Sequence, residues 1–171
     1  MTKGTRIVAI TLAAFIATSA ARAESLPLIE AARYQDAAMM QTLLSDGVDP
    51  DSRQADGATA IHWTVYNENV EALALLIAAD ADVNAVNRLG ASPLYLAAKS
   101  GNAELIEQLL EAGANPNVAM PLGETAIMTA ARAGTSRGVE LLIRAGADVN
   151  ASEQSREQTA LMWASAQGHV G

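Results

Sequence analysis

Apolar and polar positions follow a pattern that returns every 33 residues from residue 26 onward. Within each period, a pair of mostly small residues precedes a pair of large apolar residues. The small-pair column is Ala31-Ala32, Thr64-Val65, Ala97-Ala98 and Ala130-Ala131, and the large pairs are Leu43-Leu44, Leu76-Ile77, Leu109-Leu110 and Leu142-Ile143. A fixed period of this length is typical of a repeat architecture.

Each period predicts two short helices. In the period around residue 100, Ser92 and Pro93 are helix start signals, because a hydroxyl can cap a helix and proline fits the first turn. Gly101 ends this helix, and a second helix over 103–112 carries an apolar stripe and stops at Gly113. The capping column of Ser92 also contains Thr59, Thr125 and Thr159.

Four residues depart from the glycine columns of the repeat. Gln35 and Glu68 stand where later units have the glycine between their two helices, and Asp80 replaces the glycine after a second helix. The fourth connection is one residue longer than the others and has Glu157 in place of its glycine. We expect these positions to weaken individual joints, because a left-handed backbone is costly for residues other than glycine.

The segment from Gly90 to Ala114 resembles an ankyrin repeat. The closings Ala81-Asp82-Val83-Asn84 and Gly146-Ala147-Asp148-Val149-Asn150 resemble that family's repeat boundary, and Thr159-Ala160-Leu161-Met162-Trp163-Ala164 resembles the opening of another unit. The resemblance covers Leu26 to Gly171. It implies an all-α ankyrin-repeat solenoid of helix–turn–helix units with projecting β-hairpin loops, and a protein-binding role.

We expect the chain to divide into a leader, residues 1–23, and one repeat domain, residues 24–171. The units of this domain are about 26–50, 51–83, 84–116, 117–149 and a partial unit, 150–171. Because the last unit has only one predicted helix, we expect either a fragment of a longer protein or an end that something else covers.

The first 23 residues have the pattern of a secretory signal peptide. Lys3 and Arg6 form a basic start, residues 7–17 are apolar apart from one threonine, and Ala21-Arg22-Ala23 provides a small-residue cleavage site. The apolar run is about half of the ~20 residues that a membrane span requires. We therefore expect a periplasmic or secreted bacterial protein with no membrane segment after cleavage.

Composition narrows the possible functions. The chain has no cysteine, which excludes disulfides and thiolate metal sites. Cleavage of the leader would lower the net charge from −8 to −11, because residues 1–23 contain three positive charges and no negative ones. A surface this acidic repels phosphate backbones, so we expect no nucleic-acid partner. No sequence motif indicates a cofactor or a metal, and we expect a monomer.

One string matches an enzyme motif. Residues 134–138 fit the Gly-x-Ser-x-Gly pattern around Ser136, and Asp148 and His169 follow in the order of an α/β-hydrolase triad. This mechanism requires a strand before the serine, whereas the preceding residues are predicted to be a helix. A serine hydrolase is therefore a remote alternative, and we expect no enzymatic activity.

The resemblance implies that the hairpin tips and the exposed flank of each first helix form a concave partner-binding face. One position per unit gives a central row, and flanking positions give apolar and cationic residues. The predicted partner-binding residues are Trp63, Tyr66, Arg88, Leu89, Leu96, Lys99, Leu122, Thr129, Arg132 and Trp163. For the two tryptophans, packing against the next unit as core is the alternative to surface exposure.

These features favour a protein-binding scaffold exported to the periplasm. The alternative is a secreted effector that binds host proteins, which a general secretory leader favours less. The sequence does not identify the partner.

Export generates the first testable prediction. We expect the mature protein to begin at Glu24, because Ala21 and Ala23 fit the small-residue pockets of a signal peptidase. N-terminal sequencing of protein from a periplasmic fraction measures this directly, and an intact Met1 on cytoplasmic protein would contradict it.

Overall fold

The computed structural model describes residues 26–169, and the predicted leader and its cleavage site lie outside them. These residues form nine helices and no strand, which confirms the predicted all-α ankyrin-repeat fold. The helices are α1 (Pro27–Arg33), α2 (Ala37–Ser45), α3 (Ala60–Tyr66), α4 (Val70–Ala78), α5 (Pro93–Ser100), α6 (Ala103–Glu111), α7 (Ala126–Ala133), α8 (Ser136–Arg144) and α9 (Ala160–Ala166).

The helices stack in two layers. The first helices of successive units pack against one another in the order α1, α3, α5, α7 and α9. The second helices α2, α4, α6 and α8 form the other layer, and each contacts the first helix of its own unit. Each unit therefore buries its apolar surface against its neighbours, as expected for a solenoid.

Small side chains form the contact between first helices. Ala97 and Ala98 of α5 are both 0% exposed, and Ala130 and Ala131 of α7 are also buried. The second-helix layer contributes larger core residues, of which Leu109 is 0% exposed. A methyl group at the crossing lets two helix backbones approach more closely than a leucine would.

The second helices share an N-cap column that the sequence analysis did not single out. In each unit a polar side chain accepts a hydrogen bond from a backbone N–H in the first turn, which satisfies a donor that the helix leaves free. These N-cap residues are Asp36, Asn69, Asn102 and Thr135.

Capping of the first helices agrees only in part with the sequence. Ser92 accepts a hydrogen bond from the Tyr95 N–H at 3.2 Å, as predicted. The prediction is wrong for Thr125 and Thr159, whose side chains make no capping bond. The Thr125 hydroxyl is instead buried without a hydrogen-bond partner among the described residues.

His62 forms hydrogen bonds at the N-terminal end of α3. Its Nδ1 accepts a hydrogen bond from the Thr59 N–H at 3.2 Å, and its Nε2 lies 3.1 Å from the Ala91 carbonyl oxygen of the next unit. An Nδ1 that accepts carries no proton, so Nε2–H is the donor to Ala91 and the ring is neutral. Burial lowers the pKa of His62, although its bond to the Ala91 carbonyl partly opposes this effect.

A column of Asp and Asn side chains joins successive units at their boundaries. Each side chain accepts a hydrogen bond from the backbone N–H that lies 31 residues later in the chain. The three bonds, each of 2.8 Å, are Asp82 N to Asp51, Asn115 N to Asn84, and Asp148 N to Asn117. Asn84 and Asn117 also donate their Nδ2–H to the carbonyls of Gly113 and Gly146.

The four departures from the glycine columns all adopt the left-handed backbone that the register predicts. Gln35, Glu68, Asp80 and Glu157 have φ between 54° and 60°. The repeat geometry therefore overrides residue preference at these joints, at a cost of about 1 kcal/mol each relative to glycine.

Long loops connect each second helix to the next first helix, over 46–59, 79–92, 112–125 and 145–159. The tip of each loop closes with a backbone bond, such as Asn87 N to Ala91 O. Two isolated antiparallel bridges, Ala119 with Thr125 and Ser152 with Thr159, are the strand-like pairs within the described residues.

None of the helices in residues 26–169 is long and apolar enough to cross a membrane.

The boundary column generates a stability prediction. Asp51 cannot donate a hydrogen bond, whereas an asparagine there could donate to the Asp80 carbonyl, as Asn84 does to Gly113. We expect Asp51→Asn to raise the free energy of unfolding by about 0.5–1.5 kcal/mol, the net value of one hydrogen bond. Urea denaturation at neutral pH measures the change.

The control for this variant is Asp82→Asn, which removes a negative charge from the same boundary while leaving an oxygen to accept the Asn84 N–H. Equal stabilisation by both variants would mean that relief of charge repulsion, and not the added hydrogen bond, explains the effect.

His62 generates a prediction about pH. Its pKa is below the ordinary 6.5 in the folded protein, so the unfolded chain takes up a proton at a pH where the folded protein does not. The contribution of the neutral His62 to the free energy of unfolding is therefore complete above pH 6.5 and is lost as the pH falls below this value. Between pH 7.5 and 5.5, we expect the free energy of unfolding to fall by no more than about 1.4 kcal/mol, because pH 5.5 lies one unit below the ordinary pKa.

The comparison variant is His62→Met, because Met128 occupies the same repeat column. Urea denaturation at both pH values should give a smaller pH dependence for the variant, whatever its absolute stability. An identical pH dependence for the two proteins would contradict the neutral, buried histidine.

Candidate functional site

The first helices and the loop tips together form a surface that we call the first-helix face. It consists of two repeat columns on the first helices and of the tips of the four loops. One column contains Trp63, Leu96, Thr129 and Trp163, the second contains Arg33, Tyr66, Lys99 and Arg132, and the tips include Gln54, Arg88, Leu89, Leu122 and Arg156.

Trp63 is the centre of a cluster that spans two units. The Arg33 guanidinium of α1 lies over the Trp63 ring of α3, 4.3 Å from its centroid. Tyr66 meets the same ring edge-on with centroids 5.9 Å apart. The Gln54 side-chain oxygen accepts from Arg33 Nη2 at 3.1 Å and from Trp63 Nε1 at 3.3 Å. The polar edges of both side chains thus share one acceptor.

The same arrangement recurs three units later. The Arg132 guanidinium of α7 lies 4.8 Å from the centroid of the Trp163 ring of α9. Here the Trp163 Nε1–H is buried and has no hydrogen-bond acceptor among the described residues. Stacking of a guanidinium on an indole face is favourable, so both pairs orient the arginine across the unit boundary.

Both tryptophans are half-buried and pack against the core, so neither of the two alternatives, surface or core, describes them fully. Leu96, between them in the row, is also half-buried.

The predicted partner-contacting role of Thr129 is corrected. This side chain is 1% exposed, and its hydroxyl donates to the Thr125 carbonyl at 3.1 Å. A short side chain in this column does not reach past the neighbouring helices. Lys99 and Arg132, which flank the row, are both exposed.

The loop tips expose apolar side chains. Leu89 is 73% exposed and Leu122, its counterpart in the next unit, is 61% exposed. Arg88, beside Leu89, is exposed as well, and its backbone N–H donates to the Asp56 carbonyl of the preceding tip at 2.8 Å. Large apolar side chains on an ordered tip are available to a partner.

Positive charges are concentrated on the first-helix face. Residues 26–169 contain eight lysines and arginines, and two of them, Arg137 and Arg144, lie on α8. The other six are on first helices or loops, namely Arg33, Arg53, Arg88, Lys99, Arg132 and Arg156.

The ion pairs lie elsewhere. Within the described residues, the ion pairs join Arg137 to Glu107 and Glu140, and Arg144 to Glu140, all on second helices. No carboxylate of this part of the chain pairs with a cation of the first-helix face. The charges of these cations are therefore not neutralised by carboxylates of residues 26–169.

The fourth loop contains a buried carboxylate that the sequence analysis missed. Glu153 is 3% exposed, and its carboxylate accepts from the Ser155 hydroxyl and from the N–H groups of Ser155, Arg156 and Gln158. These hydrogen bonds hold the pKa of Glu153 below its ordinary value, and the bond from the Ser155 hydroxyl has the largest effect. The side chain thus organises the longer loop.

Arg33, Gln54 and Arg156 are further residues of this surface that the sequence prediction did not include. Arg33 was detectable, because it stands in the same repeat column as Lys99 and Arg132. The role of Gln54 was not detectable, because it depends on contacts with the preceding unit and with a residue nine positions later.

The environment of Ser136 differs from that of a hydrolase nucleophile. Ser136 is the first residue of α8, and helix α7 precedes it where the mechanism requires a strand. Ser136 and His169 do line one groove of about 430 Å³. However, the described hydrogen bond of the His169 ring is to the Arg132 carbonyl at 3.2 Å, and none joins it to Ser136.

The groove beside Ser136 is mainly apolar, with Val139, Ile143 and Leu161 among its lining residues. Over residues 26–169, no three His, Asp or Glu side chains converge in a way that could hold a metal ion.

Comparison with known proteins identifies the repeats. The family model described as ankyrin repeats (3 copies) matches residues 28–120 and 115–171. These two matches include all nine helices except the first residue of α1. No curated protein matches the chain.

Proposed function

Because the chain belongs to the ankyrin repeat family, whose repeats form scaffolds for protein–protein interaction, we propose that it is an exported bacterial scaffold that binds another protein through its first-helix face. The observation that carries this proposal is the contrast in charge pairing between the two helical layers. Cations of the second-helix layer have carboxylate partners, whereas those of the first-helix face have none within residues 26–169.

Aromatic and apolar side chains support a protein partner. Tyr66, Leu89 and Leu122 are each more than half exposed on an otherwise polar surface. Tyrosine, tryptophan and arginine are the residues that most often dominate binding energy at interfaces. The partner surface that matches this composition is apolar at its centre and acidic at its rim.

Nucleic acid fits the molecule poorly as a partner. The chain has a formal net charge of −8, and a strong negative charge repels a phosphate backbone. The exposed leucines of the loop tips also have no role in phosphate binding.

Export is supported by the leader sequence alone. Lys3, Arg6 and the apolar run that follows have the order of a secretory signal, with Ala21-Arg22-Ala23 as its cleavage site. A general secretory leader delivers a protein past the inner membrane of a Gram-negative bacterium. We therefore place the scaffold and its partner in the periplasm.

The test is affinity capture from a periplasmic extract with matched baits. The wild-type protein, a first-helix-face variant (Tyr66→Ala) and a second-helix variant (Arg144→Ala) are compared. Tyr66 is 70% exposed, so its truncation leaves the core intact. The proposal requires a protein that is captured by the wild type and by Arg144→Ala but is reduced with Tyr66→Ala. Equal capture by all three would contradict it.

Kinetics with the captured partner give a quantitative prediction. Trp63→Ala should weaken the complex by about thirtyfold or more, mainly through faster dissociation, because truncation of a central aromatic anchor costs about 2 kcal/mol or more. Lys99→Ala should have a small effect that disappears at high salt, because a rim charge acts mainly on the association rate. Surface-based kinetics at two salt concentrations measure both.

Circular dichroism controls for folding, because Trp63 also packs against the core. If Trp63→Ala unfolds the protein, Tyr66→Ala replaces it as the test of the central cluster. Tight binding by a folded Trp63→Ala variant would show that the anchor lies elsewhere.

A further inference from the structure

A polar cleft of about 360 Å³ lies between α7, α9 and the fourth loop. Arg132 and Trp163 line it from the helices, and Arg156 and Gln158 line it from the loop. The other polar residues of its wall are two carboxylates, Glu124 and Glu153, together with Ser155 and Gln167.

The cleft contains the second copy of an arrangement that is complete in the first copy. At the first, Arg33 stacks on Trp63, and the Gln54 side-chain oxygen accepts from both Arg33 Nη2 and Trp63 Nε1. At the second, Arg132 stacks on Trp163 in the same way. The first copy identifies the missing element as one oxygen acceptor shared by the guanidinium and the indole.

Glu153 stands in the repeat column of Gln54 but does not supply that oxygen. Its carboxylate accepts from Ser155, Arg156 and Gln158 within its own loop, which is one residue longer than the others. Trp163 Nε1 therefore has no acceptor in the described part of the chain, and the Arg132 guanidinium donates no hydrogen bond there.

The two guanidinium groups of the cleft, rather than its balanced net charge, favour an anionic acceptor. Arg132 and Arg156 have no carboxylate within ion-pair distance in residues 26–169. The two acidic residues of the wall are already engaged, Glu153 by its loop and Glu124 by the Tyr95 hydroxyl at 2.9 Å. A carboxylate carries the charge opposite to that of a guanidinium and can accept two parallel hydrogen bonds from it, so it competes better than an amide.

We propose that this cleft binds an aspartate or glutamate side chain of a protein partner, with Arg132 and Arg156 as donors to its carboxylate. The inference rests on the proposed protein-binding function and identifies the part of the first-helix face that would recognise the acidic rim of the partner. The acidic side chain occupies the position relative to Arg132 that Gln54 occupies relative to Arg33.

Trp163 provides the readout. In the Trp63→Phe background it is the single tryptophan of the chain, so its fluorescence reports on the cleft. The probes are two blocked tetrapeptides, Ala-Glu-Glu-Ala and Ala-Gln-Gln-Ala, titrated at low salt. We expect a saturable change with the glutamate peptide and a dissociation constant about tenfold or more higher for the glutamine peptide.

Three variants test the donors. Arg132→Gln and Arg156→Gln should each weaken binding of the glutamate peptide by about fivefold or more. Arg156 lies on an exposed loop tip away from the helix contacts, so this variant tests the cleft even if Arg132→Gln alters the stacking on Trp163. Arg144→Gln, on α8, is the charge-matched control and should bind like the parent protein.

Equal binding of the two peptides, or unchanged binding by both cleft variants, would overturn the inference. A free carboxylate, N-acetylglutamate amide, forms a further arm. If it binds as tightly as the peptide, the cleft is a site for small carboxylates and the assignment to a protein partner is wrong.

Experiments with the captured partner distinguish a failure of this inference from a failure of the proposed function. A partner that requires Tyr66 but binds Arg132→Gln and Arg156→Gln normally would support the proposed function. It would contradict the proposed role of the cleft in binding a carboxylate. Selective binding of the glutamate peptide without any captured protein would support the cleft and contradict the proposed scaffold.

Discussion

The close approach of successive first helices is the contact on which the rest of the structure depends. Buried alanines such as Ala97 and Ala130 let these helices pack with little between their backbones. At this spacing a side chain on the flank of one helix reaches the next, as Arg33 reaches the Trp63 ring. Larger residues at the crossing would separate the units and divide the first-helix face into isolated patches.

The two layers have different electrostatic roles. In the second-helix layer, charged groups satisfy one another, as Arg137 does with Glu107 and Glu140, and polar N-caps such as Asn102 complete the helices. Exposed pairs of this kind contribute little to stability individually. Within residues 26–169, the cations without a carboxylate partner are found on first helices and loops, where Leu89 and Leu122 are exposed.

The fourth loop illustrates how an insertion in a repeat can create a distinct site. One extra residue enlarges the loop, and the Glu153 side chain turns inward to satisfy its backbone N–H groups. The equivalent Gln54 remains free to bridge Arg33 and Trp63. The hydrogen bonds of Glu153 to the backbone of its own loop thus change the surface of the fifth unit, and the two otherwise similar arginine–tryptophan pairs become chemically different.

The sequence by itself determined the all-α repeat fold, the left-handed joints at Gln35, Glu68, Asp80 and Glu157, and the buried small pairs. These features follow from local backbone geometry repeated at a fixed period, which a single chain displays directly. Several caps could not be predicted in the same way, because Thr125 has the right position and residue type but makes no capping bond.

Only the tertiary structure decided which residues of a repeat column reach the surface. Thr129 and Trp63 share one column, yet Thr129 is buried and Trp63 is half-buried beneath an arginine of the preceding unit. The stacking of Arg132 on Trp163 and the engagement of Glu153 likewise depend on neighbours that the period does not specify. The period places each backbone segment, whereas the length of a side chain and the atoms of the adjoining unit determine its exposure.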